Sequence, residues 1–278
     1  MRLIDAVGGT PLLELPRIAS KVPGLRLLAK AEYRNPGGSV KDRPARAMIL
    51  DGIARGLLSP GKVILEATSG NTGIADAMIG SALGFRVTLC VPGNVSAERR
   101  AILSAYGAEI LLTDPLEGTD GAIRNARALA AERPDLYFYP DQYSNPANWR
   151  AHLETTGPEI WQETGGRLNF FVAGLGTSGT FMGVTRFLRK KDPSIRCVSV
   201  EPDGPLHGLE GMKHMASAMV PAIYDSSLAD ARREVATDDA REMCRRLGRE
   251  EGVFVGPSSG ANVTAALAVA RELDGAPA

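Results

Sequence analysis

The chain has 278 residues, 44% hydrophobic and 23% charged, and its 32 Lys and Arg balance 32 Asp and Glu. That length suits two α/β lobes better than one core, and the even charge argues against a nucleic-acid surface or a polybasic membrane patch. No apolar run approaches the roughly 20 residues of a membrane span, and no charged-then-apolar leader opens the chain, so a cytoplasmic location is expected.

Short apolar runs at 62–67, 86–91, 109–113 and 136–139 predict strands. Helical periodicity fills 72–83, 97–106 and 121–131 between them. The rhythm resumes with strands at 168–173, 196–200 and 253–255, and helices at 179–189, 238–250 and 261–273. In the last helix Val263, Ala266, Leu267, Ala270 and Leu273 share one face. Such alternation predicts mostly parallel sheets covered on both faces, with ligands at the carboxyl ends of strands. The Asn- and Pro-rich stretch 141–148 marks an expected crossing between lobes. Cys90, Cys197 and Cys244 are widely separated, and the first two lie in strand-like runs, as buried structural thiols do. His152, His207 and His214 lack metal-ligand spacing, so no metal is expected.

Three segments carry chemistry. In Asn35-Pro36-Gly37-Gly38-Ser39-Val40-Lys41-Asp42-Arg43, a lysine follows a glycine-rich approach, which suits a Schiff base to an aldehyde cofactor. A surface lysine in a salt bridge is the plainer reading, and it fits poorly after two glycines. In Thr68-Ser69-Gly70-Asn71-Thr72-Gly73, hydroxyls and backbone amides gather at a helix start, a place for a carboxylate. The same hydroxyls would serve as helix caps, and capping and ligand binding use the same amides.

The third segment, Gly174-Leu175-Gly176-Thr177-Ser178-Gly179-Thr180, has two readings. With Glu201 at the end of the next strand it matches a dinucleotide-binding turn. Read as Gly176 to Thr180 it is a phosphate cup of amides and three hydroxyls, without a basic residue. The dinucleotide reading leaves Lys41 and the Asn71 segment without a role, and the cup reading uses all three.

In this order, the motifs resemble those of the fold-type-II pyridoxal-phosphate enzymes, and among them the cysteine synthases, nearest the B-type branch and its phosphoserine-using relatives. Gly9-Thr10-Pro11-Leu12, the lysine motif, the 66–74 segment, Gln142 with Asn145-Pro146-Ala147-Asn148, Thr155-Thr156-Gly157-Pro158-Glu159-Ile160-Trp161 and Gly256-Pro257-Ser258-Ser259-Gly260 carry the resemblance. It implies a two-lobed α/β fold of the tryptophan synthase beta type, each lobe a mostly parallel sheet flanked by helices. The larger, cofactor lobe would comprise 1–35 and 146–278, and the smaller, substrate lobe 36–145. It also implies pyridoxal 5'-phosphate as cofactor and a homodimer. Two features depart from the family pattern. Asp76 stands where a small residue is usual, and the chain stops at Ala278, where relatives continue with another strand and an Asp- and Gly-rich segment.

The resemblance assigns roles by position. Lys41 carries the cofactor and removes the substrate α-proton. Asn71 meets the ring oxygen, and Thr68, Ser69, Thr72 and Gln142 bind the substrate carboxylate. Gly176, Thr177, Ser178, Gly179 and Thr180 hold the phosphate, and Ser258 meets the pyridine nitrogen. A serine hydroxyl there cannot keep the nitrogen protonated as a carboxylate would, which favours β-elimination and replacement over transamination.

The implied reaction makes cysteine from O-acetylserine or O-phosphoserine and sulfide or another sulfur donor. Lys213 falls where B-type and phosphoserine-using relatives carry arginine. It either grips the leaving group as a point charge or is solvated on its loop. Cystathionine synthesis is the nearest alternative. Serine or threonine dehydration fits less well, since those relatives more often have Phe where Val40 stands. A non-catalytic relative that binds a partner such as serine acetyltransferase is a third, and for the enzyme itself the resemblance implies serine acetyltransferase or a sulfur-carrier protein as partner.

Overall fold

A computed structural model describes residues 1–68 and 70–273, apart from the side chain of Leu273. The expectations for Ser69 and for the Leu273 side chain lie outside the described residues. A short antiparallel pair, β1 (Leu12–Glu14) and β2 (Leu28–Lys30), flanks α1 (Pro16–Ala19). Helix α2 (Asp42–Ala54) precedes a first parallel sheet of β3 (Val63–Ala67), β4 (Arg86–Pro92), β5 (Glu109–Thr113) and β6 (Tyr137–Phe138). Helices α3 (Asn71–Leu83), α4 (Ala97–Ala105) and α5 (Gly118–Glu132) connect its strands. After α6 (Pro146–Ala151), a π-helical turn (His152–Thr156) and α7 (Gly157–Glu163) comes the second sheet, β7 (Phe170–Gly174), β8 (Arg196–Pro202) and β9 (Ala231–Val235). Helix α8 (Gly179–Lys191) links β7 to β8, and α9 (Thr237–Arg246) and α10 (Pro257–Leu273) follow β9.

The chain forms two compact units, Met1–Gly9 with Glu32–Ala151, and Thr10–Ala31 with His152–Ala278. These bounds differ from the expected 36–145 and its complement. Residues 1–9, 32–35 and 146–151 pack with the first unit. Gly8 N donates to Asn35 Oδ1 (2.8 Å), and α6 packs on α2, so both ends of that unit are tied back to it.

In the first unit the strand order is β5-β4-β3-β6, with every pairing parallel. All five β3 residues are buried, as expected of a strand covered on both faces. The core joins Ile64, Leu89 and Val91 of the sheet to Ala45 and Ile49 of α2 and Ala75, Met78 and Ile79 of α3. Helix α2 escaped the hydrophobic-run reading because it opens on the polar end of the lysine motif. Its buried Ala45, Met48, Ile49 and Gly52 nonetheless follow helical spacing.

The second unit has the order β7-β8-β9, again parallel. Its α10 touches two clusters. Val263 and Leu267 join Leu15, Ile18 and Leu247, while Ala261 and Ala265 join Val200 and Val235.

Residues 253–255, expected as a strand, are not one. The π-helical turn Leu247–Glu251 ends at Gly252, whose φ of +69° turns the chain, and the run passes into α10 without joining a ladder among the described residues. Val253 and Val255 face the α1 cluster and Phe254 points out, so the period-2 pattern is present without hydrogen-bonded neighbours. The strand that does pair there, β9, is Ala-Arg-Arg-Glu-Val, too charged to read as one.

Gly260 lets α10 approach α9. A Cβ at this position would collide with the Ala240 carbonyl oxygen and lie 2.8 Å from Cys244 Sγ. Alanine normally stabilises a helix relative to glycine by up to about 1 kcal/mol. Here the backbone cannot yield, so Gly260→Ala should destabilise the protein by about 1–3 kcal/mol, measured by urea unfolding.

Candidate active site

In the first unit the lysine motif is braced at both ends. Arg43, buried, donates to both oxygens of Glu32 (2.7 and 2.8 Å). Glu32 also accepts from Asn35 Nδ2 at its side chain (3.0 Å) and carbonyl (2.9 Å). Asp42 Oδ2 accepts from Gly37 N at 2.5 Å, and Lys41 N donates to Ser39 Oγ at 3.2 Å. Gly38 turns at φ +82°, which favours glycine. Lys41 immediately precedes α2, and desolvation lowers its ammonium below the ordinary lysine value. A lysine so placed is more readily neutral, as a nucleophile and base must be.

The 68–73 segment leaves β3 and opens α3. Thr68 Oγ1 accepts from Gly70 N (3.0 Å) and Gly73 N (3.2 Å), closing the turn. Ile74 N is taken by the Gly70 carbonyl. The amides of Asn71 and Thr72 have no intrahelical acceptor and are the donors this helix start presents. Asn71 is exposed and Thr72 buried.

Gln142 organises this region. Its Nε2 donates to the Ala67 carbonyl (2.8 Å), and Thr72 Oγ1 donates to its Oε1 (2.7 Å). Its own amide donates to Glu66 Oε2 (3.1 Å), and its carbonyl accepts from Asn148 Nδ2 (2.6 Å). Glu66 Oε1 accepts from Ala67 N at 2.8 Å. Burial first, then the charge of Asp76, raises the Glu66 carboxyl well above the usual range. Glu66 and Asn148 lay within the motifs of the sequence, but nothing there announced their bonds to Gln142.

In the second unit, Gly176 to Thr180 connect β7 to α8. A Cβ on Gly176 would collide with the Gly211 carbonyl oxygen, so only glycine fits. Ser178 caps α8 in the left-handed region (φ +69°), and its buried hydroxyl has no hydrogen-bond partner among the described residues. Thr177 Oγ1 accepts from Gly179 N at 3.4 Å. Thr180 Oγ1 lies 3.3 Å from Nε2 of buried His152, whose Nδ1 is 2.9 Å from Thr156 Oγ1. An orphaned hydroxyl in a cup of helix-start amides fits a phosphate.

His152 was set aside in the sequence as a non-ligand, and only the fold brings it behind Thr180. Lys213 N donates to the Leu175 carbonyl (2.8 Å), so this buried lysine belongs to the turn packed on the cup and is not solvated on a loop. Ser258, half-buried, lies in the first turn of α10. One turn later, Asn262 packs against Gly174 at the end of β7. Glu201, the acid of the dinucleotide reading, instead accepts from Met215 N at 2.9 Å.

Residues 3–277 match the family model described as "Pyridoxal-phosphate dependent enzyme". A curated cysteine synthase of Aquifex aeolicus is 50% identical over 273 residues, 98% of this chain and 84% of that one. A cysteine synthase B of Pseudomonas aeruginosa is 44% identical, covering 99% of this chain and 90% of that one. A solved O-ureido-L-serine synthase is 39% identical with a TM-score of 0.91, covering 99% of this chain and 87% of that one.

Truncating the buried Gln142 amide would strand the Ala67 carbonyl and the Thr72 hydroxyl together. Gln142→Ala should therefore cost about 1–3 kcal/mol for each partner left unsatisfied, read from urea unfolding.

Proposed function

The chain belongs to the family of pyridoxal-phosphate dependent enzymes, and on that premise we propose that it is a cysteine synthase. It exchanges the acetoxy group of O-acetyl-L-serine for the sulfur of sulfide, releasing acetate and L-cysteine. The observation that carries this reading is Lys41. It is a desolvated lysine in a braced turn, in the same unit as a helix start whose free amides suit an amino-acid carboxylate.

When bound, the cofactor supplies an electron sink conjugated to the substrate α-carbon. Lys41 is the residue that bonds its aldehyde, and Asn71 the partner of its ring oxygen. The amides and hydroxyls of Gly176, Thr177, Ser178, Gly179 and Thr180 hold its phosphate, with the orphaned Ser178 Oγ as one donor. Ser258, a neutral hydroxyl at a helix start, is the partner of the pyridine nitrogen.

The remaining residues act on the substrate. The amides of Asn71 and Thr72 receive its carboxylate, together with the hydroxyl of Thr68 and the second Nε2 hydrogen of Gln142, while the Thr72 hydroxyl keeps its proton on Gln142 Oε1. Lys41 Nζ removes the α-proton. Desolvation favours its neutral form, so a larger fraction is ready to accept that proton near neutral pH. The orientation of Thr72 rests on its bond to Gln142, and through Gln142 on Glu66 and Asn148.

The partners are therefore an amino-acid substrate and a sulfur donor, in a homodimer that analytical ultracentrifugation would detect. We place the enzyme in the cytoplasm. Cys90, Cys197 and Cys244 are all free thiols, which suits a reducing compartment, and no described helix is long and apolar enough to cross a membrane.

The test is equimolar release of acetate and L-cysteine from O-acetyl-L-serine and sulfide. Lys41→Ala should lower turnover by at least about 100-fold, the lower range for a lost acid–base group. Borohydride reduction followed by peptide mapping should place the cofactor label on Lys41, and a label on Lys30 or Lys62 would overturn the assignment.

The choice of ester turns on Lys213. A lysine presents one point charge where an arginine would fork onto a dianionic phosphate. O-acetylserine should therefore react at least as well as O-phosphoserine, and Lys213→Ala should slow the phosphoserine reaction more. Equal losses for both esters in a stopped-flow comparison would remove Lys213 from ester recognition.

A further inference from the structure

Asp76 has no task in the reaction as described. It is fully buried on α3, five residues after Asn71, and neither carboxyl oxygen has a hydrogen-bond partner among the described residues. Its neighbours along the helix, Ala75, Ala77, Met78 and Ile79, are apolar and buried.

Two further buried acids stand on elements that pack against α3. Asp42, at the start of α2, is fully buried with Oδ1 also unpartnered, while its Oδ2 holds Gly37 N. Glu66, at the end of β3, spends its oxygens on the amides of Ala67 and Gln142. Beyond them, Glu32 acts on Asp42, and Asp141, Tyr139, Tyr143 and Cys90 interact with Glu66. Glu32 is paired with Arg43 and Asp141 with Arg127, while Lys41 beside Asp42 is shifted toward its neutral form and Arg46, one turn along α2, has its Nε buried without a hydrogen-bond partner among the described residues. Two carboxylates repel, whereas a protonated carboxyl can donate to a neighbouring one, directly or through one ordered water.

We propose that Asp76 is a positioning residue that the folded protein keeps protonated, its O–H shared with the unpartnered oxygen of Asp42. One buried proton then ties α3, with Asn71 and Thr72, to the turn that carries Lys41. The role in catalysis rests on the reading of those residues given above.

Burial, then the Asp42 charge, pushes Asp76 up to about 8, and burial brings Asp42 to about 6. An unfolded aspartate releases its proton near pH 4. Between about pH 4 and 8 the folded state therefore holds a proton that the unfolded chain has lost. Stability falls as pH rises through that window, and the loss is complete above about pH 8. Ionised Asp76 would also set negative charge behind the helix start that receives the substrate carboxylate, raising KM on the same alkaline limb.

The experiment uses the holoenzyme. Urea unfolding at pH 6 and pH 8 is compared for wild type and Asp76→Asn, which keeps the shape and cannot ionise. The wild-type folding constant should fall about 50-fold more than that of the variant. Should Asp76→Asn fail to fold, Asp76→Leu supplies the same comparison. The KM for O-acetylserine should rise less with pH in the variant, while the ratio of the two kcat values stays constant. The substrate amine titrates equally in both proteins and cancels. Parallel pH–stability curves would overturn the proposal. A stability difference with matching KM profiles would overturn the positioning role. A wild type that makes no cysteine but shows the stability difference would defeat the activity reading and support the buried proton.

Discussion

The Gln142 side chain has one amide group and two neighbours that it must satisfy at once. Its nitrogen is spent on the Ala67 carbonyl at the end of β3, and its oxygen on the Thr72 hydroxyl at the start of α3. A strand end and a helix start are thereby held at one separation by a group that is itself buried and cannot exchange its bonds for water. Glu66 and Asn148 fix the Gln142 backbone on its two sides. The helix-start amides proposed to receive a substrate carboxylate depend on this hub for their direction, although Gln142 lies roughly 70 residues further along the chain.

The second unit reaches anion binding by a different route. The cup from Gly176 to Thr180 contains no basic side chain, so its attraction for a phosphate comes from helix-start amides and hydroxyls. Such donors are short and need close approach, which explains the glycine at 176 against the Gly211 carbonyl and the left-handed Ser178. Thr180 is backed by His152, and the turn through Lys213 is tied to Leu175. A phosphate held this way is recognised by shape and hydrogen-bond count more than by long-range charge.

Acidic groups in the first unit run against the usual rule that buried charges are paired. Asp42, Glu66 and Asp76 come from α2, β3 and α3, the three elements adjoining Lys41, Thr68 and Asn71. Burial raises all three carboxyls, with the charge of Asp76 adding to it at Glu66 and that of Asp42 at Asp76. The rest of α3 near Asp76 could have been packed with hydrocarbon, as Ala77 and Met78 are, so this acid is a feature of the chain that packing alone does not require.

Much of the fold could be read directly from residue order. The β5 run is found over the same residues as expected, and β3, β4, β7 and β8 within a few, because short apolar runs mark strands, most plainly in β3, β4 and β8, which are buried almost throughout. The Gly-Gly-Ser-Val-Lys, Thr-Ser-Gly-Asn and Gly-Thr-Ser-Gly motifs were legible because each is local, with its turn residues and its chemistry within one segment. What the sequence could not declare was non-local. The Val-Phe-Val run at 253–255 looks like a strand, yet no partner strand lies beside it among the described residues, and β9, whose Arg232 and Glu234 stay exposed, becomes a strand by pairing with β8. The bonds of Glu66 to Gln142, the place of His152 behind Thr180, and the burial of Asp76 on a helix packed against the one that carries Asp42 join residues far apart in the chain. The sequence by itself determined which groups are present and which local turns they favour, since those follow from backbone sterics and short-range hydrogen bonding. Tertiary structure alone decided which groups share a buried space, because partners and proton affinities depend on what desolvates and faces each group.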